Sequence, residues 1–147
     1  MSENNKVIFL DVDATLYSKE QRLVPESAIT AIHAAQKNGH KVLINTGRPL
    51  VYFEKEILDI GCDGYLCYNG VHILLDGETI YHKIIPDTVV EQIKRICEEN
   101  NIYGTFEGEK CYYFSDNNVD FHPHYGFMIT AFELAPYMAH EFTWDHV

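Results

Sequence analysis

The sequence predicts an α/β fold built around a parallel β-sheet, because strand patterns and helical patterns alternate through its first half. Strands are predicted at residues 7–10, 41–45 and 65–68, where apolar residues follow one another without polar alternation. Such runs are typical of strands buried on both faces, as in a parallel sheet. The order strand, helix, strand, helix, strand then requires right-handed crossovers between parallel strands.

Two helices are predicted between these strands. The first begins at Pro25, because proline suits the first helical turn, and it ends at Gly39. The second is predicted to run from about Pro49 to Ile60 and to stop at Gly61. Each helix would carry the chain from the end of one parallel strand back to the start of the next.

The pattern changes after the third strand. Residues 71–75 and 79–83 flank an Asp-Gly pair and are predicted to form a β-hairpin. A third helix is predicted to begin at Pro86, and two further strands are predicted at 102–106 and 110–114. This second half therefore has the composition of a separate α+β unit.

Charge and composition exclude several classes of protein. A net charge of −11 disfavours a nucleic-acid partner, because binding a phosphate backbone needs clustered lysine and arginine. No apolar stretch approaches the length of a membrane span, so no membrane partner is expected. The 4 cysteines show no metal-ligand spacing and are interpreted as reduced thiols. A cytoplasmic protein is expected.

Polar residues follow all three predicted parallel strands. Asp11 and Asp13 follow the first strand, Thr46, Gly47 and Arg48 follow the second, and an Asn-Gly pair follows the third. In open parallel sheets, ligands bind beyond the carboxyl ends of the strands. A functional site is therefore predicted at this edge of the sheet.

The two aspartates indicate the chemistry of this site. Side chains two residues apart at a strand end can face the same way, and two such charges repel unless a cation compensates them. Oxygen-rich sites of this kind suit Mg²⁺, which also bridges to phosphate. One carboxylate could attack phosphorus, while the other protonates the leaving oxygen and then activates water. For Asp-Val-Asp alone, a turn or a helix cap remains an equal alternative.

Three motifs resemble those of a known family. VIFLDVDATL, at 7–16, resembles the first signature of the haloacid dehalogenase superfamily, usually written DxDGT. INTGRP, at 44–49, resembles the second signature of its Cof-type sugar-phosphatase branch. YNGV, at 68–71, is followed by a hairpin and by KIIP, and resembles the transition of that branch into its cap domain. The order and the spacing of all three agree.

The resemblance implies a fold and a domain organisation. The expected fold is a haloacid dehalogenase-like Rossmannoid, a three-layer parallel sheet that is incomplete here, with part of an α+β cap domain. Residues 1–82 would be the N-terminal part of the core, and residues 83–147 the N-terminal part of the cap. The implied activity is hydrolysis of phosphate monoesters, with sugar phosphates or similar small molecules as substrates and Mg²⁺ as cofactor.

The resemblance also implies a role for each site residue. Asp11 would be the nucleophile, forming an aspartyl phosphate, and a metal ligand. Asp13 would be the general acid and base, with its backbone carbonyl on the metal. Thr46 and the backbone N–H of Gly47 would bind the transferring phosphate. Arg48 would orient the substrate, with a surface salt bridge as the open alternative.

The sequence departs from the family pattern at two points. Ala14 stands where the family has glycine, which would be strained if the backbone there has positive φ, so reduced activity is a hypothesis. The later lysine and the later acidic pair of the family are not found in their expected context. Lys83 and Lys94 match the lysine by residue type alone.

These departures leave alternatives open. The chain could be a catalytically inactive remnant or a binding module. It could be a compact, capless phosphatase in which Asp116 and Asp120 complete the metal site, since SDNNVD fits an acidic pair after a strand. A receiver domain is disfavoured, because its phosphorylated aspartate belongs on the third strand, where this chain has Asn69. An incomplete sheet would also leave an unpaired edge, which could mediate self-association.

Overall fold

The structure is a computed structural model that describes residues 5–18, 21, 23–102, 105–108 and 112–114. The chain divides into two compact units, Met1–Lys83 and Ile84–Val147. The assignment of residues 1–82 to a core and 83–147 to a cap stays a prediction. The predicted strand ending at residue 114 is followed by Asp116 and Asp120, which lie outside the described residues.

The first unit contains a five-stranded mixed sheet with the strand order β1-β2-β3-β4-β5. Its strands are β1 (Val7–Leu10), β2 (Lys41–Asn45), β3 (Gly64–Cys67), β4 (His72–Leu75) and β5 (Glu78–His82). The pairs β1–β2 and β2–β3 are parallel, which confirms the prediction of a parallel sheet. The hairpin of β4 and β5 extends the same sheet in the antiparallel sense.

The crossover from β1 to β2 is a regular helix, as predicted. Helix α1 (Glu26–Lys37) follows Pro25 in extended conformation, and the chain leaves it through Gly39 at φ 85°. Glycine adopts this left-handed conformation without strain, which explains why the helix stops there. Ile32 is the buried residue of α1 and faces the core of the sheet.

The prediction of one continuous second helix is wrong. The structure has a single 3-10 turn (Leu50–Tyr52) and a four-residue helix α2 (Lys55–Leu58). Between them, Phe53 and Glu54 have extended backbone angles, with ψ of 124° and 151°. The extended linker buries the Phe53 side chain completely in the core. Burial of this large aromatic ring outweighs the local preference for an unbroken helix.

The hydrophobic core lies on one face of the sheet. It combines side chains of the sheet, of α1, of the loop after β1 and of the segment after β2: Val12, Leu16, Tyr17, Val24, Ile32, Val42, Ile44, Phe53, Ile57, Ile60 and Cys67. On β1, Ile8 and Leu10 pack against this core, whereas Val7 and Phe9 on the other face remain 47% and 54% exposed. Within the described residues, β1 pairs with β2 alone.

The described part of the second unit is small. Helix α3 (Asp87–Asn100) begins after Pro86, as predicted, and buries Val90 and Cys97. Strand β6 (Thr105–Glu107) pairs antiparallel with β7 (Tyr112–Phe114). No helix among the described residues is both long enough and apolar enough to cross a membrane.

Candidate active site

The strand register brings the three polar segments to one edge of the sheet. Leu10 and Ile44 are partners at the carboxyl ends of β1 and β2, so Asp11 and Thr46 follow neighbouring strands. The backbone N–H of Thr46 donates to the carbonyl of Leu66 on β3 at 2.9 Å. The backbone N–H of Asn69 donates to the carbonyl of Thr46 at 3.2 Å. The predicted convergence at this edge is therefore present.

The loop after β1 turns tightly around one buried carbonyl. The backbone N–H groups of Thr15, Leu16 and Tyr17 all donate to the carbonyl of Val12, at 3.3, 3.0 and 2.9 Å. This turn places Ala14 at φ 59°, in the left-handed region. An alanine there is strained by about 1–2 kcal/mol relative to ordinary backbone, because its Cβ approaches the following carbonyl. The backbone at Ala14 therefore has the positive φ at which the sequence analysis expects an alanine to be strained.

Asp11 is the exposed carboxylate of the site. It comes directly after β1, and its Oδ2 accepts a hydrogen bond from the hydroxyl of Thr15 at 3.2 Å. The bond comes from within the same turn, four residues along the chain. Thr15 therefore orients Asp11 without removing the carboxylate from solvent.

Asp13 forms a two-point ion pair with Arg48. The Arg48 Nε donates to Oδ2 of Asp13 at 2.8 Å, and Nη2 donates to Oδ1 at 2.7 Å. Parallel bonds of this kind fix both the distance and the plane of the carboxylate. The cation that compensates Asp13 in the described structure is thus a guanidinium from the loop after β2.

The other side of the Arg48 guanidinium is also held. Its Nη1 donates to Oε2 of Glu54 at 2.7 Å and to the carbonyl of Tyr52 at 3.4 Å. Its Cζ lies 5.8 Å from the ring centroid of Tyr17, within the range of a cation–π contact. The side chains of Arg48 and Glu54 are 15% and 16% exposed, so this pair is not a surface salt bridge.

These carboxylates keep Arg48 charged. Burial by itself would lower the pKa of Arg48, but the hydrogen bonds to Asp13 and the negative charges of Glu54 and Asp13 outweigh it and raise the pKa. The sequence motifs did not identify Glu54, which lies outside them. Its approach to Arg48 depends on the extended linker between the 3-10 turn and α2, and the helical pattern concealed that linker.

Thr46 and Gly47 follow β2 at this edge of the sheet. Thr46 is 5% exposed, and its Oγ1 accepts the backbone N–H of Arg48 at 3.2 Å, which leaves the hydroxyl hydrogen to be donated elsewhere. Gly47 faces the side chain of Asn69, since a Cβ at Gly47 would lie 3.2 Å from Asn69 Oδ1. The sequence predicted Asn69 as a turn residue, and the structure also places its amide beside Gly47.

The backbone after β3 is strained next to this contact. Tyr68, Asn69 and Gly70 have consecutive positive φ values of 50°, 57° and 91°. Non-glycine residues rarely adopt this conformation, and such strain concentrates at functional sites. The strained turn sets the Asn69 amide against Gly47.

The donor chemistry of the site fits a hard cation in part. The exposed Asp11 carboxylate and the backbone carbonyl of Asp13 are oxygen ligands, which Mg²⁺ prefers while it retains several waters. Within the described residues, no group of three or more His, Cys, Asp or Glu side chains could hold a metal ion. Of the lysines considered from the sequence, Lys94 pairs with Glu91 at 3.1 Å on its own helix and Lys83 is exposed.

Comparison with known proteins places the chain in one family. A profile of the haloacid dehalogenase-like hydrolases matches residues 8–140. The chain is 29% identical over 135 residues to 5-amino-6-(5-phospho-D-ribitylamino)uracil phosphatase YitU of Bacillus subtilis (strain 168), covering 87% of this chain and 46% of that protein.

Solved structures give the same result. The phosphatase BT1666 of Bacteroides thetaiotaomicron superposes with a TM-score of 0.73 and 27% identity over 91% of this chain and 48% of that one. The subclass IIB sugar phosphatase BT4131 superposes with a TM-score of 0.65 and 29% identity over 85% of this chain and 49% of that one. The match covers less than half the length of each of these three proteins. The chain belongs to the haloacid dehalogenase-like hydrolase family.

Proposed function

We propose that this chain carries the catalytic aspartates of a Mg²⁺-dependent phosphate-monoester hydrolase that works through an aspartyl phosphate. The observation that carries the proposal is the arrangement at the carboxyl edge of the sheet. There an exposed Asp11, an ion-paired Asp13 and a buried Thr46 hydroxyl follow adjacent parallel strands. Membership of a hydrolase family, together with relatives named as phosphatases, supports the same activity.

Asp11 is proposed as the nucleophile. One carboxylate oxygen of Asp11 attacks phosphorus, and the bond from phosphorus to the leaving oxygen breaks. Exposure of Asp11 gives substrate access, and the Thr15 hydroxyl holds the carboxylate in one orientation. Water then attacks the phosphorus of the aspartyl phosphate, which releases inorganic phosphate and restores Asp11.

Asp13 is proposed as the general acid and base. It donates a proton to the leaving oxygen in the first step and takes one from the attacking water in the second. The bidentate contact with Arg48 fixes the distance and the plane of this carboxylate, which positions it for both steps.

Thr46 and Gly47 are proposed to bind the transferring phosphate. The free hydrogen of the Thr46 hydroxyl and the backbone N–H of Gly47 are donors suited to phosphate oxygens. For Arg48, the two carboxylates that hold its guanidinium support an ion-pair role over direct substrate contact. Orientation of substrate by Arg48 remains a prediction.

Mg²⁺ is proposed as the cofactor on electrostatic grounds. The Arg48 guanidinium is paired with the carboxylates of Asp13 and Glu54, and Asp11, two residues from Asp13, adds a further negative charge to the site, so a phosphate anion would be repelled. When bound, Mg²⁺ would neutralise this charge and hold the attack in line. Asp11 and the Asp13 carbonyl would be its ligands from the described residues.

Phosphorylated small molecules, with sugar phosphates as the leading class, are the proposed substrates. BT4131 is described as a sugar phosphatase, and the substrate of YitU carries a phosphoribityl group. The test is phosphate release from p-nitrophenyl phosphate and a panel of sugar phosphates, with Mg²⁺ and with EDTA. Mg²⁺-dependent turnover that disappears in Asp11→Asn supports the proposal. Turnover that survives in Asp11→Asn contradicts it.

A second candidate is a non-catalytic module that keeps the fold. It is favoured by the small donor set around Asp11 among the described residues. Absence of Mg²⁺-dependent phosphate release in all assays would favour it. The capless alternative, in which Asp116 and Asp120 act on the metal, would instead show turnover lost in Asp116→Asn.

Self-association through β1 is proposed alongside either function. The outer edge of β1 has no partner strand among the described residues, and Val7 and Phe9 are exposed beside it. An unpaired apolar edge favours pairing with another chain. Light scattering coupled to size-exclusion chromatography would show a dimer or larger species, and a stable monomer would contradict self-association.

A further inference from the structure

We propose that Glu54 is a positioning residue that fixes the Asp13 carboxylate through Arg48. This inference rests on the proposed function only in treating Asp13 as the general acid and base. It adds a residue outside the three motifs to the machinery of the site. The contact uses the same break in the second helix that buries Phe53.

The contacts form a continuous chain of charged groups. Glu54 binds one side of the guanidinium through Nη1, and Asp13 binds the other side through Nε and Nη2. An arginine side chain that is anchored at one side alone can rotate about its long stem. Because Glu54 and the Tyr52 carbonyl hold Nη1, the Nε and Nη2 groups that contact Asp13 are kept in one orientation.

The position of Glu54 is unfavourable for the local helix. Glu54 is the N-cap residue of α2, and its side chain makes no capping hydrogen bond. Ser, Thr, Asp or Asn at an N-cap would stabilise the helix by about 1 kcal/mol. The Glu54 carboxylate accepts a hydrogen bond from Arg48 instead. Helix α2 therefore lacks a side-chain cap, while the site gains an ion pair.

A neighbouring ion pair shows what an ordinary surface contact looks like. Lys55 and Asp59 are paired four residues apart on α2, with side chains 73% and 59% exposed. Exposed pairs of this kind contribute little to stability. The Arg48–Glu54 pair is formed by side chains about 15% exposed and spans the break between β2 and α2, which suits it to hold an orientation.

The experiment compares Glu54→Gln with Glu56→Gln in the full chain. Both changes remove one negative charge without changing side-chain size, and Glu56 is an exposed residue of α2 outside the site. The ¹³Cγ signal of Asp13, assigned with Asp13→Asn, reports the environment of its carboxylate and does not require turnover. The free energy of unfolding, kcat and KM are measured on the same samples.

The expected result is a shifted Asp13 signal in Glu54→Gln and an unchanged one in Glu56→Gln. If the chain turns over substrate, kcat should fall about 10- to 100-fold in Glu54→Gln at constant KM, because small misplacements of a catalytic group reduce the rate strongly. A folded Glu54→Gln with an unchanged Asp13 signal, or with unchanged kcat, overturns the inference.

Two safeguards keep the outcome clear. If Glu54→Gln does not fold, Glu54→Asp keeps the charge on a shorter stem and should give an intermediate shift, and no shift in that variant overturns the inference. If the natural chain shows no phosphatase activity, the proposed function fails. The Asp13 signal still decides whether Glu54 positions that carboxylate.

Discussion

Two polar networks hold opposite edges of the same sheet. At the carboxyl edge, the Arg48 guanidinium lies between Asp13 and Glu54. At the amino edge, the Lys41 amine lies between Asp63, at 2.9 Å, and Asp76, at 2.7 Å. Each network places one cation between two carboxylates, so the number of charges does not distinguish a functional network from a structural one.

The two networks differ in the groups that their carboxylates contact besides the central cation. At the amino edge, Asp63 also accepts the backbone N–H of Val42 at 2.9 Å and the amide of Gln36 at 3.1 Å. This network ties the start of β2 to the loop before β3 and to the hairpin turn, so it fastens backbone segments together. At the carboxyl edge, the network includes Asp13, which lies two residues from the exposed Asp11 that is proposed as the nucleophile.

The largest effect is expected when the central cation of the carboxyl edge is removed. Arg48→Ala leaves the carboxylates of Asp13 and Glu54 partly buried without their counter-ion, which should lower the free energy of unfolding by about 2–3 kcal/mol. Lys41→Ala, at the more exposed amino edge, should have the smaller effect. Denaturant unfolding of both variants measures the comparison. An equal or larger loss in Lys41→Ala would show that the two networks are energetically alike.

A slightly smaller effect is expected from close packing at the amino edge. A Cβ at Gly64 would lie 2.5 Å from the backbone carbonyl of Leu74, which cannot move without disturbing β4. Gly64→Ala should therefore lower the free energy of unfolding by about 1–3 kcal/mol. Gly47→Ala is the matched control at the carboxyl edge, because the facing Asn69 atom belongs to a side chain that can shift. If both variants unfold alike, the crowding at Gly64 is relieved without strain.

Relief of strain in the loop after β1, at the carboxyl edge, should instead raise the free energy of unfolding. Ala14→Gly relieves positive φ but adds freedom to the unfolded chain, so a net gain of about 0.5–1 kcal/mol is expected. The same change in a helix, Ala31→Gly in α1, should lower stability by about 1 kcal/mol. Thermal or denaturant unfolding measures both. The hypothesis that Ala14 reduces activity also predicts faster turnover in Ala14→Gly than in the natural chain. Equal turnover rates in the two proteins would contradict that hypothesis.

The smallest expected effect is a pH dependence of the amino-edge network. Burial opposes ionisation of Asp63, but hydrogen bonds from the Val42 N–H, Lys41 and Gln36 outweigh it and lower its pKa from the ordinary value of 3.8. The resulting stability is present above pH 3.8 and is lost as the pH falls through the lowered pKa. Unfolding measured between about pH 5 and pH 2 should therefore depend less on pH in Asp63→Asn than in the natural chain.

The exposed Asp59 gives the control for that measurement. Asp59→Asn changes a carboxylate that is paired with Lys55 on the surface. The natural pH dependence should persist in this variant. If Asp59→Asn flattens the curve as much as Asp63→Asn does, the dependence belongs to general charge and not to the amino-edge network.

Much of the fold followed from short-range patterns. Apolar runs predicted β1, β2 and β3, and the proline and glycine residues at the ends of α1 predicted its limits. The segment after β2 could not be predicted in the same way. Its residues favour a helix locally, but burial of Phe53 requires an extended backbone there. A contact with distant residues decided that conformation.

By itself, the sequence determined that the first three strands are parallel and at which edge of the sheet the polar residues gather, because both depend on patterns a few residues long. Asp11, Asp13, Thr46 and Gly47 could therefore be located at this edge in advance, whereas their roles stay predictions. Only the tertiary structure decided which groups Arg48 would bind. Asp13 lies 35 residues away in the chain, and Glu54 reaches Arg48 through a break in a helical pattern. Ion pairs between distant segments depend on how the chain packs, and no local pattern encodes them.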